Sequence, residues 1–220
     1  MNMQAKASDS PDGIGGPTET LAALKRFSRS RPQVERCALC SAPLADEHQH
    51  LMERQSRRIE CACDACAILF CGQDSSKYLR VPRRVRRLHD FALTDLQWEQ
   101  MMIPISLAFF FRNESGRMTA MYPSPGGPIE SLLDSDSWAQ IFAECPALQR
   151  MEPEVEALLV NRICVGATLI VPIDECYKLV GLIRMNWRGL SGGAEVWKVI
   201  AGFFEQLEQK AGSRPQVQHA

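Results

Sequence analysis

The sequence predicts an α+β protein in which a small cysteine-rich module precedes a mostly antiparallel sheet with two or more helices. Two observations carry this prediction. Cysteine pairs with two residues between them stand at 37–40 (CALC) and 63–66 (CDAC). After residue 98, short apolar segments alternate with turns rich in Gly, Pro, Asn and Ser, and an apolar pattern of helical period closes the chain.

These patterns divide the chain into five segments. We expect the cysteine-rich module and the α+β domain to be joined by a basic connector and flanked by polar ends that lack enough apolar residues to fold. The predicted segments are a disordered leader at 1–20, the module at 21–75, the connector at 76–97, the α+β domain at 98–210 and a disordered tail at 211–220.

The composition predicts a cytoplasmic protein without a membrane span. Hydrophobic residues make up 45% of the chain and charged residues 23%, which are ordinary values for a globular protein. The N-terminal stretch is polar, unlike a secretory signal. The apolar run at 101–111 is interrupted by Pro104 and is shorter than the roughly twenty residues that cross a bilayer. In the cytoplasm thiols stay reduced, and clustered cysteines there bind metal more often than they form disulfides.

Four of the cysteines have the spacing of a zinc site. Zinc takes four ligands tetrahedrally, and each Cys-x-x-Cys pair supplies two thiolates from one tight turn. The 22 residues between the pairs predict a hairpin, and DACAILF after Cys63 predicts a helix whose N-terminus stabilises thiolates. A knuckle, a hairpin and a pair that opens a helix are the order of a zinc ribbon or treble clef. The predicted ligands are Cys37, Cys40, Cys63 and Cys66.

Three further donors, His48, His50 and Cys61, lie on the predicted hairpin. They could replace a cysteine, orient one through a hydrogen bond, or complete a second site, whereas a zinc ion held by four cysteines would leave them as bystanders. Cys61 and Cys63 have one residue between them, so a continuous strand would place both thiols on the same side. We interpret Cys71 as a bystander.

Iron or an iron–sulfur cluster is the alternative to zinc, because it also binds to four cysteines. We favour zinc, since cysteine pairs with this spacing in cytosolic modules are mostly structural zinc sites. A thioredoxin-type redox site would place its Cys-x-x-Cys after a strand of a βαβ unit, and the sequence lacks that context.

An arginine-rich stretch, RVPRRVRR at 80–87, belongs to a positively charged first part of the chain. Residues 25–90 contain 14 Lys and Arg against 8 Asp and Glu, whereas residues 91–210 contain 9 against 15. The two parts could therefore dock on each other or face different partners. Polyanion binding is another hypothesis, although the stretch lacks the aromatics or recognition helix of a nucleic-acid site. The arginines concerned are Arg83, Arg84, Arg86 and Arg87.

The first part of the α+β domain predicts a hairpin followed by a helix. PISLAFFFRN at 104–113 and RMTAMYPS at 117–124 are strand-like, and NESG forms a turn between them. Residues 134–137 offer helix caps for WAQIFAEC at 138–145, and Pro146 ends that helix.

The rest of the domain predicts three strands and a closing helix. EALLVNRICV at 156–165, ATLIVPID at 167–174 and CYKLVGLIRMNW at 176–187 are the predicted strands. The closing helix has Ser191 as its cap, and its apolar residues recur at helical spacing.

We find no catalytic constellation in the sequence. Cys176 beside Glu175 comes nearest to a nucleophile with a neighbouring carboxylate. A cysteine nucleophile needs a base, normally His, and after His89 the only histidine is His219 in the tail. The sequence therefore predicts a protein that is not an enzyme.

Several stretches together resemble an uncharacterised bacterial family, a domain of unknown function, whose members tend to be encoded beside uptake nickel–iron hydrogenase genes. The stretches are ERCALCSAPL, HQHLM, CACDACAILF, IPISLAFFF, YPSPGGPIES, EALLVNR, PIDECYKLVGLI and GLSGG, between about residues 20 and 210. The resemblance implies an accessory, assembly or electron-transfer role. Ser41 stands where such knuckles often carry Gly. The residues that match the family's histidine and cysteine pattern are Cys37, Cys40, His48, His50, Cys61, Cys63 and Cys66.

The expected function is that of a non-enzymatic accessory protein with a structural zinc, which acts on a protein partner such as a hydrogenase subunit or maturation factor. An iron–sulfur or rubredoxin-like electron-transfer partner of a hydrogenase is the alternative. Nucleic-acid binding through the arginine-rich connector is a lesser one. The sequence does not indicate an oligomeric state.

Overall fold

The computed structural model describes residues 34–72, 76–89, 91–131, 138, 141, 144–163, 167–189 and 192–212. The chain divides between residues 35 and 36 into two units, and every described helix and strand belongs to the second unit, residues 36–220. The predicted leader, most of the predicted tail, and the predicted caps at 134–137 and Ser191 lie outside the described residues.

The described residues form a mixed fold of helices and antiparallel sheets, as the sequence predicts. The strands are β1 (Gln49–Glu53), β2 (Ile59–Ala62), β3 (Tyr78–Arg80), β4 (Arg86–Arg87), β5 (Leu107–Arg112), β6 (Met118–Ser124), β7 (Gly127–Ser131), β8 (Glu156–Asn161) and β9 (Ala167–Pro172). The helices are α1 (Asp64–Phe70), α2 (Asp95–Gln100), α3 (Pro146–Gln149), α4 (Ile173–Asn186) and α5 (Gly193–Gly212). No helix among the described residues has the length and apolar composition that a membrane crossing requires.

A small sheet of three antiparallel strands, in the order β2-β1-β3, carries the cysteines. The predicted hairpin between the cysteine pairs is confirmed as β1 and β2, with His50 opposite Cys61. The described core beside this sheet is small, and its buried members are Cys37, Leu51, Ala62, Cys66 and Ala67. Taken alone, so few apolar side chains cannot offset the conformational entropy of ordering the segment, whose further buried side chains Met52 and Val81 belong to the core of the large sheet.

The large sheet has six antiparallel strands in the order β4-β9-β8-β5-β6-β7. The predicted hairpin at 104–124 is confirmed as β5 and β6, and the strands predicted at 156–165 and 167–174 are confirmed as β8 and β9. Helices α4 and α5 pack on one face of this sheet, and Trp98, Trp138 and Leu148 of α3 pack on the other. Both faces are therefore covered.

Burial on both faces explains why β5 reads as a continuous apolar run. Successive side chains of a strand point to opposite faces, so Phe109 and Phe111 pack beneath α4 and α5, and Phe110 packs against the two tryptophans. All three rings have no exposed surface.

The strand predicted at 176–187 is wrong, because residues 176–186 belong to helix α4 and Trp187 is its C-cap. The buried positions Ile173, Cys176, Val180 and Ile183 recur every three or four residues, which is the helical period. The aromatic and β-branched residues of this stretch favoured a strand in isolation, and packing against the sheet overrides that local preference. The closing helix is confirmed as α5.

Four of the eight residues of the helix predicted at 138–145 lie outside the described residues. Trp138 and Ile141 are described, and both are buried against the large sheet. Pro146 occupies the first turn of α3, a position where its missing N–H leaves no helical hydrogen bond unmade.

The small sheet docks directly on the large one. Met52 of β1 has no exposed surface and belongs to the core beneath α4 and α5. The guanidinium carbon of Arg57, in the β1–β2 turn, lies 4.3 Å from the centre of the Phe111 ring. Its Nε lies 3.2 Å from Oε2 of Glu154. Side chains of the small sheet and its turn thus pack against residues of the large sheet.

Candidate metal centre

The first cysteine pair lies on a tight turn that backbone hydrogen bonds close. The Cys37 N–H donates to the Ala42 carbonyl and the Ser41 N–H to the Cys37 carbonyl, both over 2.8 Å. Ser41 has a φ of 63°, in the left-handed region that favours glycine. The turn therefore requires a left-handed residue at this position, a conformation that strains a serine but not a glycine.

The second pair opens helix α1. Cys63 is the N-cap residue, and its sulfur accepts a hydrogen bond from the Cys66 N–H over 3.5 Å. The Ala38 N–H donates to the Cys61 carbonyl over 2.8 Å, which ties the first turn to the end of β2. These backbone contacts bring the two pairs together.

The four sulfurs of Cys37, Cys40, Cys63 and Cys66 all lie within 4.8 Å of one another. The sulfurs of Cys40 and Cys63 are 3.7 Å apart. Four sulfurs bound tetrahedrally to zinc at about 2.3 Å would be about 3.8 Å apart, whereas disulfide sulfurs lie about 2.05 Å apart. The arrangement fits a tetrahedral ion, and all four cysteines are free thiols.

The electrostatics of the cluster also favour a cation. Burial raises the pKa of Cys37, but backbone hydrogen bonds involving Cys63, Cys40 and Leu39 outweigh it and bring the pKa to about 6. Burial, followed by the neighbouring cysteine sulfurs, raises the pKa of Cys66 to about 12. Without a cation the cluster thus opposes ionisation of all four thiols together. Four thiolate ligands in a tetrahedron suit zinc or iron, so the donor set alone leaves the metal's identity open.

A second cluster consists of His48, His50 and Cys61, whose ligand atoms also lie within 4.8 Å of one another. The two imidazole Nε2 atoms are 3.2 Å apart. Strand β2 ends at Ala62, and Cys63 caps the next helix, so strand alternation does not extend to Cys63. The expectation that the thiols of Cys61 and Cys63 lie on the same side is therefore wrong, and the two belong to different clusters.

Asp174, in the first turn of α4, is a member of this second site that the sequence does not reveal. Its Oδ2 lies 2.6 Å from Nδ1 of His50, and its Oδ1 accepts a hydrogen bond from the Glu175 N–H over 2.9 Å. His50 and Asp174 are 124 positions apart, and no local pattern connects them.

An open cleft of about 810 Å³ lies beside the second cluster. His48, His50, Arg83 and Asp174 are among the residues that line it. On the same side, Lys210 of α5 is paired with Glu175 over 2.5 Å. The imidazoles therefore face a space that solvent and small solutes reach.

The connector arginines are engaged within the protein. Arg84 and Arg86 hold the carboxylate of Glu156, which has no exposed surface, at 2.9 and 3.0 Å. Arg83 donates to the His48 carbonyl over 2.6 Å, and Arg87 lies 3.5 Å from Glu208. Arginines of the positively charged first part thus pair with glutamates of the negatively charged second part. The burial of Glu156 could not be predicted from the sequence, because nothing there distinguishes it from a surface glutamate.

The remaining described cysteines lie outside both clusters. Cys176 is fully buried, and burial raises the pKa of its thiol well above the usual value. Cys71 and Cys145 are half-buried, whereas Cys164 lies outside the described residues. Cys176 is a core side chain, as its apolar surroundings in the sequence predict.

A family model, described as a family of unknown function (DUF5947), matches residues 36–211. This range begins beside the first cysteine turn and ends within α5. It therefore includes both clusters and both sheets. No curated protein and no solved structure matches the chain.

Proposed function

The chain belongs to this family, DUF5947, and we propose that it is a non-enzymatic, metal-binding accessory protein whose four clustered cysteines hold a structural zinc ion. The observation that carries the proposal is the set of four sulfurs within 4.8 Å of one another beside a very small core. The turn, hairpin and helix that present them have the order of a zinc ribbon or treble clef. Reduced thiols are required, which the cytoplasm provides.

A structural role for the ion follows from the energies involved. Structural zinc contributes about 10–16 kcal/mol of apparent binding free energy at neutral pH, while a whole domain is stable by only about 5–15 kcal/mol. The small core beside the cysteines cannot replace a contribution of that size. The ion would therefore hold β1 in the position where Met52 reaches the main core.

A protein partner is the second part of the proposal. Helix α1, which begins at the metal cluster, exposes Ile68, Leu69 and Phe70 to solvent by 69%, 75% and 46%. Contiguous apolar side chains on a surface favour contact with another protein. The resemblance to a family encoded beside hydrogenase genes suggests a hydrogenase subunit or maturation factor as that partner.

The metal can be tested on the full chain purified without oxygen. Elemental analysis should find one tightly held zinc per chain in colourless protein. A brown preparation with visible absorbance would instead support iron, and with it the electron-transfer alternative. Metal-free protein with a folded cysteine module would contradict both.

The partner surface can be tested with Leu69→Glu and the matched control Leu96→Glu, which changes a similarly exposed leucine on α2. With purified hydrogenase subunits and maturation factors as probes, Leu69→Glu should abolish binding and Leu96→Glu should retain it. Equal binding by both variants, or no binding by the unchanged protein, would remove this surface from the proposal.

Nucleic-acid binding is less well supported, because Arg84 and Arg86 are committed to a buried glutamate. Binding through phosphate contacts would weaken steeply with salt. We expect no such affinity for DNA or RNA at low salt, which a filter-binding titration measures.

A further inference from the structure

The second cluster has a geometric origin in the β1–β2 hairpin. His50 and Cys61 lie directly opposite each other on neighbouring antiparallel strands, so their side chains share one face of the sheet. His48 precedes His50 by two residues and reaches the same face. Three metal-binding side chains therefore meet on one face of the small sheet.

Hydrogen bonds fix which ring nitrogens point inward. Nδ1 of His48 lies 2.9 Å from the Ala45 carbonyl oxygen, and Nδ1 of His50 lies 2.6 Å from a carboxylate oxygen of Asp174. Both oxygens are acceptors, so each Nδ1 carries a hydrogen and donates it. In a neutral ring the lone pair is then on Nε2.

These two Nε2 atoms lie 3.2 Å apart, and their rings are inclined at 78°. Two lone pairs at that distance repel each other unless a positive species lies between them. Two imidazoles bound to one zinc ion at about 2.0–2.1 Å in a tetrahedron would have nitrogens about 3.3 Å apart. The observed separation therefore matches that of two ligands of one ion.

We propose that His48, His50 and Cys61 bind a divalent transition-metal ion of the zinc class, at a site separate from the four cysteines. Two imidazoles and one thiolate are the ligand types that such ions prefer. Three protein ligands leave a fourth position open, the arrangement of exchangeable or reactive sites rather than closed structural ones. Because His48 and His50 line the cleft, water or a small anionic ligand takes this position from the cleft.

Asp174 acts in this site as a positioning residue. A carboxylate that accepts from the far nitrogen of a ligating histidine fixes the ring's tautomer and orientation and raises its basicity. Asp174 belongs to α4, whereas the three ligands belong to the hairpin. Metal binding here therefore joins the small sheet to the helical face of the large one.

The test is a Co²⁺ and Zn²⁺ titration of the anaerobic full chain, monitored by cobalt–thiolate absorbance and by native mass. The unchanged protein should bind one ion more than His48→Ala and one more than Cys61→Ser. Cys71→Ser, which changes a cysteine outside both clusters, should match the unchanged protein. Because His48 precedes the strand and is partly exposed, its variant tests the site even if Cys61→Ser misfolds.

Equal numbers of bound ions in the unchanged protein and in His48→Ala would overturn the proposal. This is the result expected if the two imidazoles share a proton instead of an ion. The outcome is also distinguishable from failure of the four-cysteine proposal, since the difference between the unchanged protein and His48→Ala counts the second site alone.

Asp174→Asn tests the positioning role. Asparagine keeps the Oδ1 acceptor for the Glu175 N–H but removes the carboxylate that faces His50. We expect affinity for the ion to fall by about 10–100-fold with the number of sites unchanged. Asp174→Glu should recover part of the affinity. Unaltered affinity in Asp174→Asn would contradict the assignment of this residue.

Discussion

The two donor clusters lie on the same hairpin, and Cys61 of one is only two positions from Cys63 of the other. The contacts that hold the two clusters nevertheless differ. All four cysteines of the first come from one short segment, residues 37–66, held by its own backbone hydrogen bonds. The second depends on Asp174, which is 124 positions beyond His50. The ligands of both clusters are local, but Asp174, which positions one ligand of the second cluster, reaches it only when the two sheets have docked.

This difference suggests that the two clusters have different roles. A local, closed cluster of thiolates can contribute its binding energy to a segment that has little core. A cluster with a ligand positioned by a distant helix reaches its full affinity only after the rest of the protein has folded. The first is therefore suited to stability, and the second to exchange or response.

The largest expected effect is that of Cys40→Ala. Loss of one of four thiolates should remove the structural ion and unfold residues 36–80, because that ion supplies about 10–16 kcal/mol. Limited proteolysis with mass detection should show new cleavage in β1 and β2, while β5 to β9 stay protected. His48→Ala should show no new cleavage, and cleavage of both variants alike would remove the distinction between the clusters.

The docking of the connector should be sensitive to its arginines but not to metal. Arg84→Met combined with Arg86→Met leaves the carboxylate of Glu156 buried without its ion-pair partners. The free energy of unfolding, measured by urea unfolding, should fall by about 3–5 kcal/mol.

The matched control is Arg87→Met, whose partner Glu208 is 36% exposed, and which should cost less than about 1 kcal/mol. Both variants should retain the ion of the four cysteines. A double variant as stable as the control would show that this buried ion pair does not anchor the connector.

The contrast between local and distant contacts also explains how much the sequence could reveal. The cysteine pairs, the hairpin between them and the β5–β6 hairpin follow from spacing and turn residues within a few positions of one another. The burial of Glu156 and the approach of Asp174 to His50 are products of docking, which no local pattern records. Residues 176–186 are helical for a similar reason, because their conformation is decided by the packing of their apolar side chains on the large sheet.

Zinc in excess should stabilise the unchanged protein further. An ion at 100 times its dissociation constant adds about 2.7 kcal/mol to a folded state that alone binds it. The increase should appear in the midpoint of urea unfolding and should be absent from His48→Ala. If the variant gains as much as the unchanged protein, the stabilisation comes from other sites.

The smallest expected effect is at the first cysteine turn. Ser41→Gly removes the cost of a left-handed residue, about 1–2 kcal/mol, and adds an entropic cost of about 0.5–1 kcal/mol, so a gain of at most about 1.5 kcal/mol should remain. Urea unfolding of the zinc-loaded protein measures it, and Ser41→Ala should give no gain. A loss of stability in the glycine variant would show that the serine side chain, rather than the backbone, supports the turn.

Hydrogen exchange of the unchanged protein, before and after a chelator removes its metal under reducing conditions, tests the central claim most directly. We expect the amides of β1 and β2 to lose protection together with the ion, while those of β5, β8 and β9 keep theirs. Continued protection of β1 and β2 in the metal-free chain would contradict a structural role for the four cysteines.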